Sequence, residues 1–167
     1  RKGDHSLFTP ELKGRSHATW KLTDSGIKQS VATGDLLRKI DFDLHVTSPL
    51  LRAVKTAINL NLPNAIWLEE ELLRERDWGG LESMTHNEIV AIKSAQPTQL
   101  DSHSFYWNPP RGSHDGESII DVCTRVNTFI TSLAQEKWNN KKILIVTHGD
   151  VIWAFRIILE NIPVLNF

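Results

Sequence analysis

The residues of this chain best suited to chemistry are a histidine and two arginines placed where predicted strands turn into helices. His148 stands in Lys141–Asp150, KKILIVTHGD, where the β-branched apolar run Ile143 to Val146 gives way to Thr147, His148, Gly149 and Asp150. Such a run reads as a strand buried on both faces. An apolar helical pattern follows from Val151 to Leu159. A strand that feeds straight into a helix aims backbone N–H groups and a positive dipole at the junction, a ready site for phosphate. His148 there either binds or transfers a phosphoryl group or merely caps the helix; for a lone histidine the cap is the commoner role. Bidentate contacts to phosphate call for arginine, and Arg1, beside Gly3, and Arg52, in SPLLRA, are suitably placed. In parallel α/β sheets the carboxyl ends of the strands and the helix starts beyond them share one crevice, where Arg1, Arg52 and His148 could meet. Taken singly, Arg52 would be a solvated helix position. A leaving group also needs a proton donor, and a carboxyl held near phosphate serves. Glu75, Asp77 and Glu82 flank Gly79-Gly80 and are the candidates, although surface charge is the ordinary fate of a carboxylate.

The elements that must position these groups alternate between strand and helix. Arg1 to Trp20 fits no period and reads as a long loop or a frayed terminus. Thr23-Asp24-Ser25 can cap a helix from about Ser25 to Ile40, with Ile27, Val31, Leu36, Leu37 and Ile40 as its apolar side. Asp43–Thr47 reads as a strand, and Ser48-Pro49 as an N-cap followed by proline at the first helical position. Leu50, Leu51, Val54 and Ile58 would form the apolar side of that helix, and Ala65–Leu68 a further strand. Gly79-Gly80 marks a turn, and Thr85-His86-Asn87-Glu88 is a capping box. Residues 95–116 are loop, with Phe105, Tyr106, Trp107, Pro109 and Pro110 as a lid or plain covering. Glu117–Lys137 is the clearest helix, with Ile119, Val122, Val126, Phe129, Ile130 and Leu133 on one face. The central strand at Ile143–Val146 and the last helix follow. The order predicts one α/β domain over residues 1–167.

Composition narrows the classes. A chain of 167 residues, 40% hydrophobic, can build one proper core. A net charge of −1 argues against a dedicated nucleic-acid binder. The single cysteine, Cys123, excludes an intrachain disulfide and reads as a small buried hydrophobe. With no bilayer-length apolar run and no opening signal peptide, a soluble, cytoplasmic protein away from membranes is expected.

Six blocks in order resemble the histidine phosphatase superfamily, in its phosphoglycerate mutase-like branch. They are Arg1-Lys2-Gly3-Asp4, LTDSGIKQS at 22–30, TSPLLRAVKTA at 47–57, LRERDWGGLE at 73–82, GESIIDVCTRV at 116–126 and IVTHG at 145–149. The resemblance implies a three-layer α/β/α domain with a mostly parallel central sheet and helices on both faces. It also implies a pocket in which Arg1, Arg52, His148 and Gly149 hold the transferred phosphoryl group and Glu75 serves as general acid and then base. No cofactor and no metal is expected, since the arginines and histidine supply the positive charge. Members of the family carry a core strand before the first Arg, so residues are expected to precede Arg1, and others to follow Phe167.

The main departure lies at the nucleophile, where the family carries histidine and this chain has Lys2. An ammonium with an ordinary pKa near ~10.4 has no lone pair with which to attack phosphorus. Neighbouring arginines would lower that pKa, but the amine is longer and differently aimed than imidazole. Lys2 is an engineered block, the mark of a natural pseudoenzyme, or a sign that another nucleophile acts, in that order of preference. His5 is close in sequence but its spacing does not match; Asp4 suits the family's acidic position, and Phe8 stands where many members carry a phosphate-contacting Asn.

Within the family, glycolytic mutases follow their Gly-Gly turn with Leu-Asn-Lys and carry an Arg-Arg pair. Here Leu81, Glu82 and Ser83 follow the glycines, and no two arginines are adjacent. A phosphomonoester hydrolase impaired by Lys2 is therefore expected, acting on a small-molecule phosphomonoester. A non-catalytic phospho-ligand or partner-binding module is the alternative, and a mutase is less favoured. Trp153 and Phe155 on the last helix are core or, less readily, part of a homodimer interface.

Overall fold

Three parallel strands, β1 (Leu44–Thr47), β2 (Trp67–Glu69) and β3 (Ile143–Val146), pair in the order β2-β1-β3. Thr47 lies level with Glu69 on one side and with Val146 on the other, so all three carboxyl ends share one edge. The structure is a computed structural model that describes residues 20–85, 87–88, 90–91, 116–134 and 138–162. Parallel pairing requires crossovers. Helix α2 (Leu51–Asn59) lies between β1 and β2 in the chain, α3 (Ile119–Leu133) precedes β3, α4 (Gly149–Glu160) follows it, and α1 (Asp24–Leu37) comes before them all. A parallel sheet with helices is the α/β class expected from the alternation of patterns. The described residues fall into two compact units: one holds the segments up to Glu75 and from Thr128 to His148, the other those from Arg76 to Asn127 and from Gly149 onward.

In the first unit α2 packs on β1 and β3, and α1 packs on α2. Thr23 caps α1 as expected, its Oγ1 accepting from the Gly26 amide at 3.1 Å. The apolar side expected for α1 is not its buried side. Ser30 and Gly34 are buried, whereas Ile27, Val31 and Leu36 are exposed, Leu36 by 70%. The cause is the close approach of the two helices. A Cβ added to Gly34 would lie 2.0 Å from the Leu60 carbonyl oxygen, so only the line of small residues fits there. The helix also stops at Leu37, short of Ile40. On α2 the buried line is Ala53 and Ala57, continued by Leu60, while Ile58, expected on the apolar side, is exposed.

Three further expectations shift. Helix α2 begins at Leu51, with Leu50 and not Ser48 in the cap position and no side-chain cap bond. Residues 65–68 were expected as a strand; β2 is Trp67–Glu69, and Ile66 is exposed before it. Every residue of β3 is only partly buried, not enclosed on both faces. Among the described residues β3 pairs with β1 alone, and the middle of the sheet is β1, whose Val46 and Thr47 are buried. At the amino ends of β1 and β3, Lys141 Nζ and the Lys142 amide both donate to the Asp43 carboxylate at 2.9 Å. The Lys141 bond first, and then the Lys142 amide, hold the Asp43 pKa below the ordinary carboxylate value. His45 packs edge-on to Phe42 and Trp67, and burial pushes its pKa down.

In the second unit, Gly79–Ser83 form a 3-10 helix where a Gly-Gly turn was expected; Gly79 enters it at φ 53°, a region that favours glycine. The capping box at Thr85 is present: the Thr85 amide and hydroxyl donate to Glu88 Oε2 at 2.6 and 2.8 Å. Helix α3, whose residues are divided between the two units after Asn127, buries Ile119, Val122, Val126 and Phe129, the face its spacing predicts. It starts after Ser118, whose amide and hydroxyl donate to Asp121 Oδ2 at 2.8 and 2.7 Å. Cys123 is half-buried, and burial raises its thiol pKa. Val151 and Ala154 are the buried line of α4. Trp153, expected in the core, falls outside that line and is 42% exposed, with the Arg156 guanidinium 4.8 Å from its ring centroid.

Candidate active site

The carboxyl edge of the sheet gathers the segments that carry three of the predicted site residues. β1 ends at Thr47; Ser48 follows, and Arg52 lies in the first turn of α2. β2 ends at Glu69, and a 3-10 turn, Glu71–Leu73, leads on to Glu75. β3 ends at Val146, followed by Thr147 and His148. Backbone and hydroxyl bonds lace these exits together. The Ser48 amide donates to Val146 O at 2.9 Å and the Glu70 amide to Thr47 O at 2.9 Å. Thr147 Oγ1 donates to Leu73 O at 2.8 Å, tying the residue before His148 to the turn before Glu75. Such short exits from parallel strands are where α/β sheets place ligand-binding groups.

His148 is buried, at 7% exposure, against a hydroxyl that the motif reading treated as a helix cap. Its Nε2 lies 2.7 Å from Ser48 Oγ, and Ser48 itself is fully buried. The Ser48 hydroxyl also accepts from the Leu50 amide at 3.3 Å, which tightens the turn ahead of α2. Arg52 and Glu75 are partly buried. Gly149, next in the chain after His148, is the first residue of α4, so its amide is among the N–H groups that have no partner within their own helix.

Among the other carboxylates named from the sequence, Asp77 is committed to its own turn, its Oδ1 accepting from the Gly79 amide at 2.7 Å. Arg1, Lys2, Asp4, His5, Phe8 and the aromatic segment 105–110 lie outside the described residues, as does the side chain of Glu82. Sequence reasoning missed Ser48 as a partner of His148, because a Ser-Pro pair ahead of a helix looks the same whether or not a histidine lies across from it. It also missed Glu117, whose carboxylate takes Arg125 Nε and Nη2 at 2.9 and 3.1 Å and the Asp77 amide at 3.0 Å. Among the described residues no helix is long and apolar enough to cross a membrane.

Comparison with known proteins bears on the same residues. The profile of the histidine phosphatase superfamily (branch 1) matches residues 10–167, in agreement with the ordered motif blocks from position 22 onward. The chain is 32% identical over 146 residues to a 2,3-bisphosphoglycerate-dependent phosphoglycerate mutase of Cytophaga hutchinsonii, covering 85% of this chain and 67% of the relative. It is 30% identical over 156 residues to the glucosyl-3-phosphoglycerate phosphatase of Mycobacterium tuberculosis, covering 88% of this chain and 67% of the relative. Among solved structures, that of a mycobacterial glucosyl-3-phosphoglycerate phosphatase in complex with inorganic phosphate superposes with a TM-score of 0.73 at 28% identity, over 87% of this chain and 72% of the other.

Proposed function

Because the chain belongs to the histidine phosphatase superfamily (branch 1), we propose that it is a phosphomonoester hydrolase, its phosphoryl group held by Arg1, Arg52, His148 and the Gly149 amide. The observation that carries this reading is the placing of Arg52, Glu75 and buried His148 on the exits of three adjacent parallel strands, with His148 immediately before a helix start. In the reaction proposed, a histidine at position 2 attacks phosphorus as the bond to the leaving oxygen breaks, and Glu75 gives that oxygen its proton. Water, deprotonated by Glu75, then cleaves the phosphohistidine, restoring histidine and the protonated carboxyl and releasing inorganic phosphate. Guanidinium and imidazole donors stabilise charge on the transferred group throughout.

Lys2 stops this cycle at its first step, because an ammonium has no lone pair for phosphorus. The pocket keeps its positive charge and still binds phosphate. Hydrolase is favoured over mutase, although relatives of both kinds share about the same identity with the chain. The substrate of a mutase carries a carboxylate besides its phosphate, and this chain offers no adjacent arginine pair to hold it. A small organic phosphomonoester is the substrate class.

Hydrolysis of p-nitrophenyl phosphate by the chain and by Lys2→His tests the reading. Turnover confined to Lys2→His is the expected result. Comparable turnover by the unaltered chain overturns the role given to Lys2, and failure of both variants, with phosphate still bound, overturns the hydrolase in favour of a phospho-ligand module.

A further inference from the structure

We propose that Thr147 is a positioning residue for Glu75, its hydroxyl fastening the turn ahead of the general acid to the end of β3. The assignment rests on the reading of Glu75 as proton donor and adds what holds it in place. The 3-10 turn Glu71–Leu73 follows β2 and is fastened at both ends. At its start the Glu70 amide donates to Thr47 O at 2.9 Å, and Glu70 Oε1 accepts from the Leu72 amide at 2.9 Å. The last bond of the turn runs from the Arg74 amide to Glu71 O at 3.1 Å, and Leu73, beside it, is fully buried. A carbonyl at the end of such a turn has no partner within it, and a buried one must be satisfied from elsewhere. Among the described residues the Thr147 hydroxyl satisfies Leu73 O, at 2.8 Å.

Arg74 leaves the turn in an extended conformation, at φ −61° and ψ 156°, and Glu75 comes next. Two residues of extended chain span at most about 7 Å, so the carboxyl is placed from a backbone pinned just behind it. The pin belongs to the residue immediately before His148. One hydroxyl thus couples the proposed acid to the proposed phosphoryl contact, across 74 positions of sequence. Its hydrogen is committed to Leu73 O, so Thr147 acts through Glu75. Valine in its place keeps the shape of the side chain and takes the donor away from the Leu73 carbonyl.

Amide hydrogen exchange, which needs no turnover, reads the hold on the turn in the unaltered chain and in Thr147→Val. The Leu73 and Arg74 amides should exchange about three- to tenfold faster in Thr147→Val, the worth of one hydrogen bond. The Arg38 amide at the end of α1, bonded to Gly34 O, should keep its rate. In the Lys2→His protein, Thr147→Val should slow hydrolysis of an alkyl phosphate by about tenfold through kcat, with KM little changed. Hydrolysis of p-nitrophenyl phosphate should fall far less, since its leaving group hardly needs the proton. Thr147→Ser keeps the hydroxyl and should keep both the exchange rates and the alkyl phosphate rate. Unchanged exchange at Leu73 and Arg74 in folded Thr147→Val overturns the proposal, as does an equal acceleration at Arg38, which marks a general loss of stability. Equal losses on the two substrates, where Glu75→Gln tells them apart, overturn it too. Should Thr147→Val fail to fold, NMR of the unaltered chain decides: a slowly exchanging Thr147 hydroxyl proton supports the bond, and its absence overturns it. If Lys2→His hydrolyses neither substrate, the hydrolase reading fails and the role toward Glu75 falls with it, while exchange still judges the hold on the turn.

Discussion

Glu75 is the residue on which proton transfer to the leaving oxygen depends in the proposed reaction, and the leaving group supplies the means of testing it. An alkoxide must be protonated as it departs, whereas p-nitrophenolate departs with little help. In the Lys2→His protein, Glu75→Gln should slow hydrolysis of an alkyl phosphate by about 100- to 10,000-fold, the range for a lost general acid. Hydrolysis of p-nitrophenyl phosphate should fall far less. Equal losses for both substrates, measured as initial rates of phosphate release, would assign Glu75 a binding role instead. At this scale the types and order of Arg52, Glu75 and His148 were legible in the sequence, since each sits in a motif block beside a strand end. The Ser48 hydroxyl against His148 was not, because the two residues are 100 positions apart and their pairing exists only across the sheet.

Among the elements, the packing of α1 on α2 is governed by Gly34. Replacing an interior helical glycine with alanine ordinarily stabilises a protein by about 0.5–1 kcal/mol. At Gly34 the new methyl would meet the Leu60 carbonyl oxygen at 2.0 Å, a backbone atom that cannot rotate away. Overpacking of this sort costs about 1–3 kcal/mol, so the sign reverses and Gly34→Ala should destabilise. Gly26, in the same helix, would place its methyl no nearer than 3.4 Å to any neighbour, and Gly26→Ala should stabilise modestly. Urea melts of the two variants check both signs. The pattern of apolar residues misplaced the buried face of α1 for the same reason: hydrophobic periodicity finds the face that gains most from burial, but a backbone-to-backbone approach admits only Ser30 and Gly34. Where helix packing does not force so close an approach, as along α3, the periodic residues Ile119, Val122, Val126 and Phe129 are the buried ones.

At the scale of the whole molecule, Glu117 joins segments 40 residues apart within one compact unit. Its carboxylate carries Arg125 in a bidentate pair that is 9% and 14% exposed, and its carbonyl accepts from Arg76 Nε at 2.7 Å. Arg76 is fully buried and lies 4.6 Å from the centre of the Trp78 ring. Removing one partner of a buried ion pair costs about 3–5 kcal/mol, because the remaining charge loses its compensation. Glu117→Ala should lose roughly that much, a large share of the ~5–15 kcal/mol that holds a typical domain folded. Chemical denaturation monitored by tryptophan fluorescence measures it. A loss below about 1 kcal/mol would place the pair with ordinary surface salt bridges.

The family, the α/β class, the order of the elements and the caps at Thr23 and Thr85 belong to the sequence, because each depends on residues within a turn or two of one another. Strand order, with β1 between β2 and β3, belongs to the fold. So do the buried face of α1, the exposure of Trp153, the Arg76–Glu117–Arg125 network and the partner of His148. All of these are set by which surfaces meet across long stretches of chain, and the spacing of residues along one segment carries no record of what lies opposite. The histidine that first marked the chain as chemical was visible in its motif; the serine hydroxyl 2.7 Å from its ring came into view only when two strands were laid side by side.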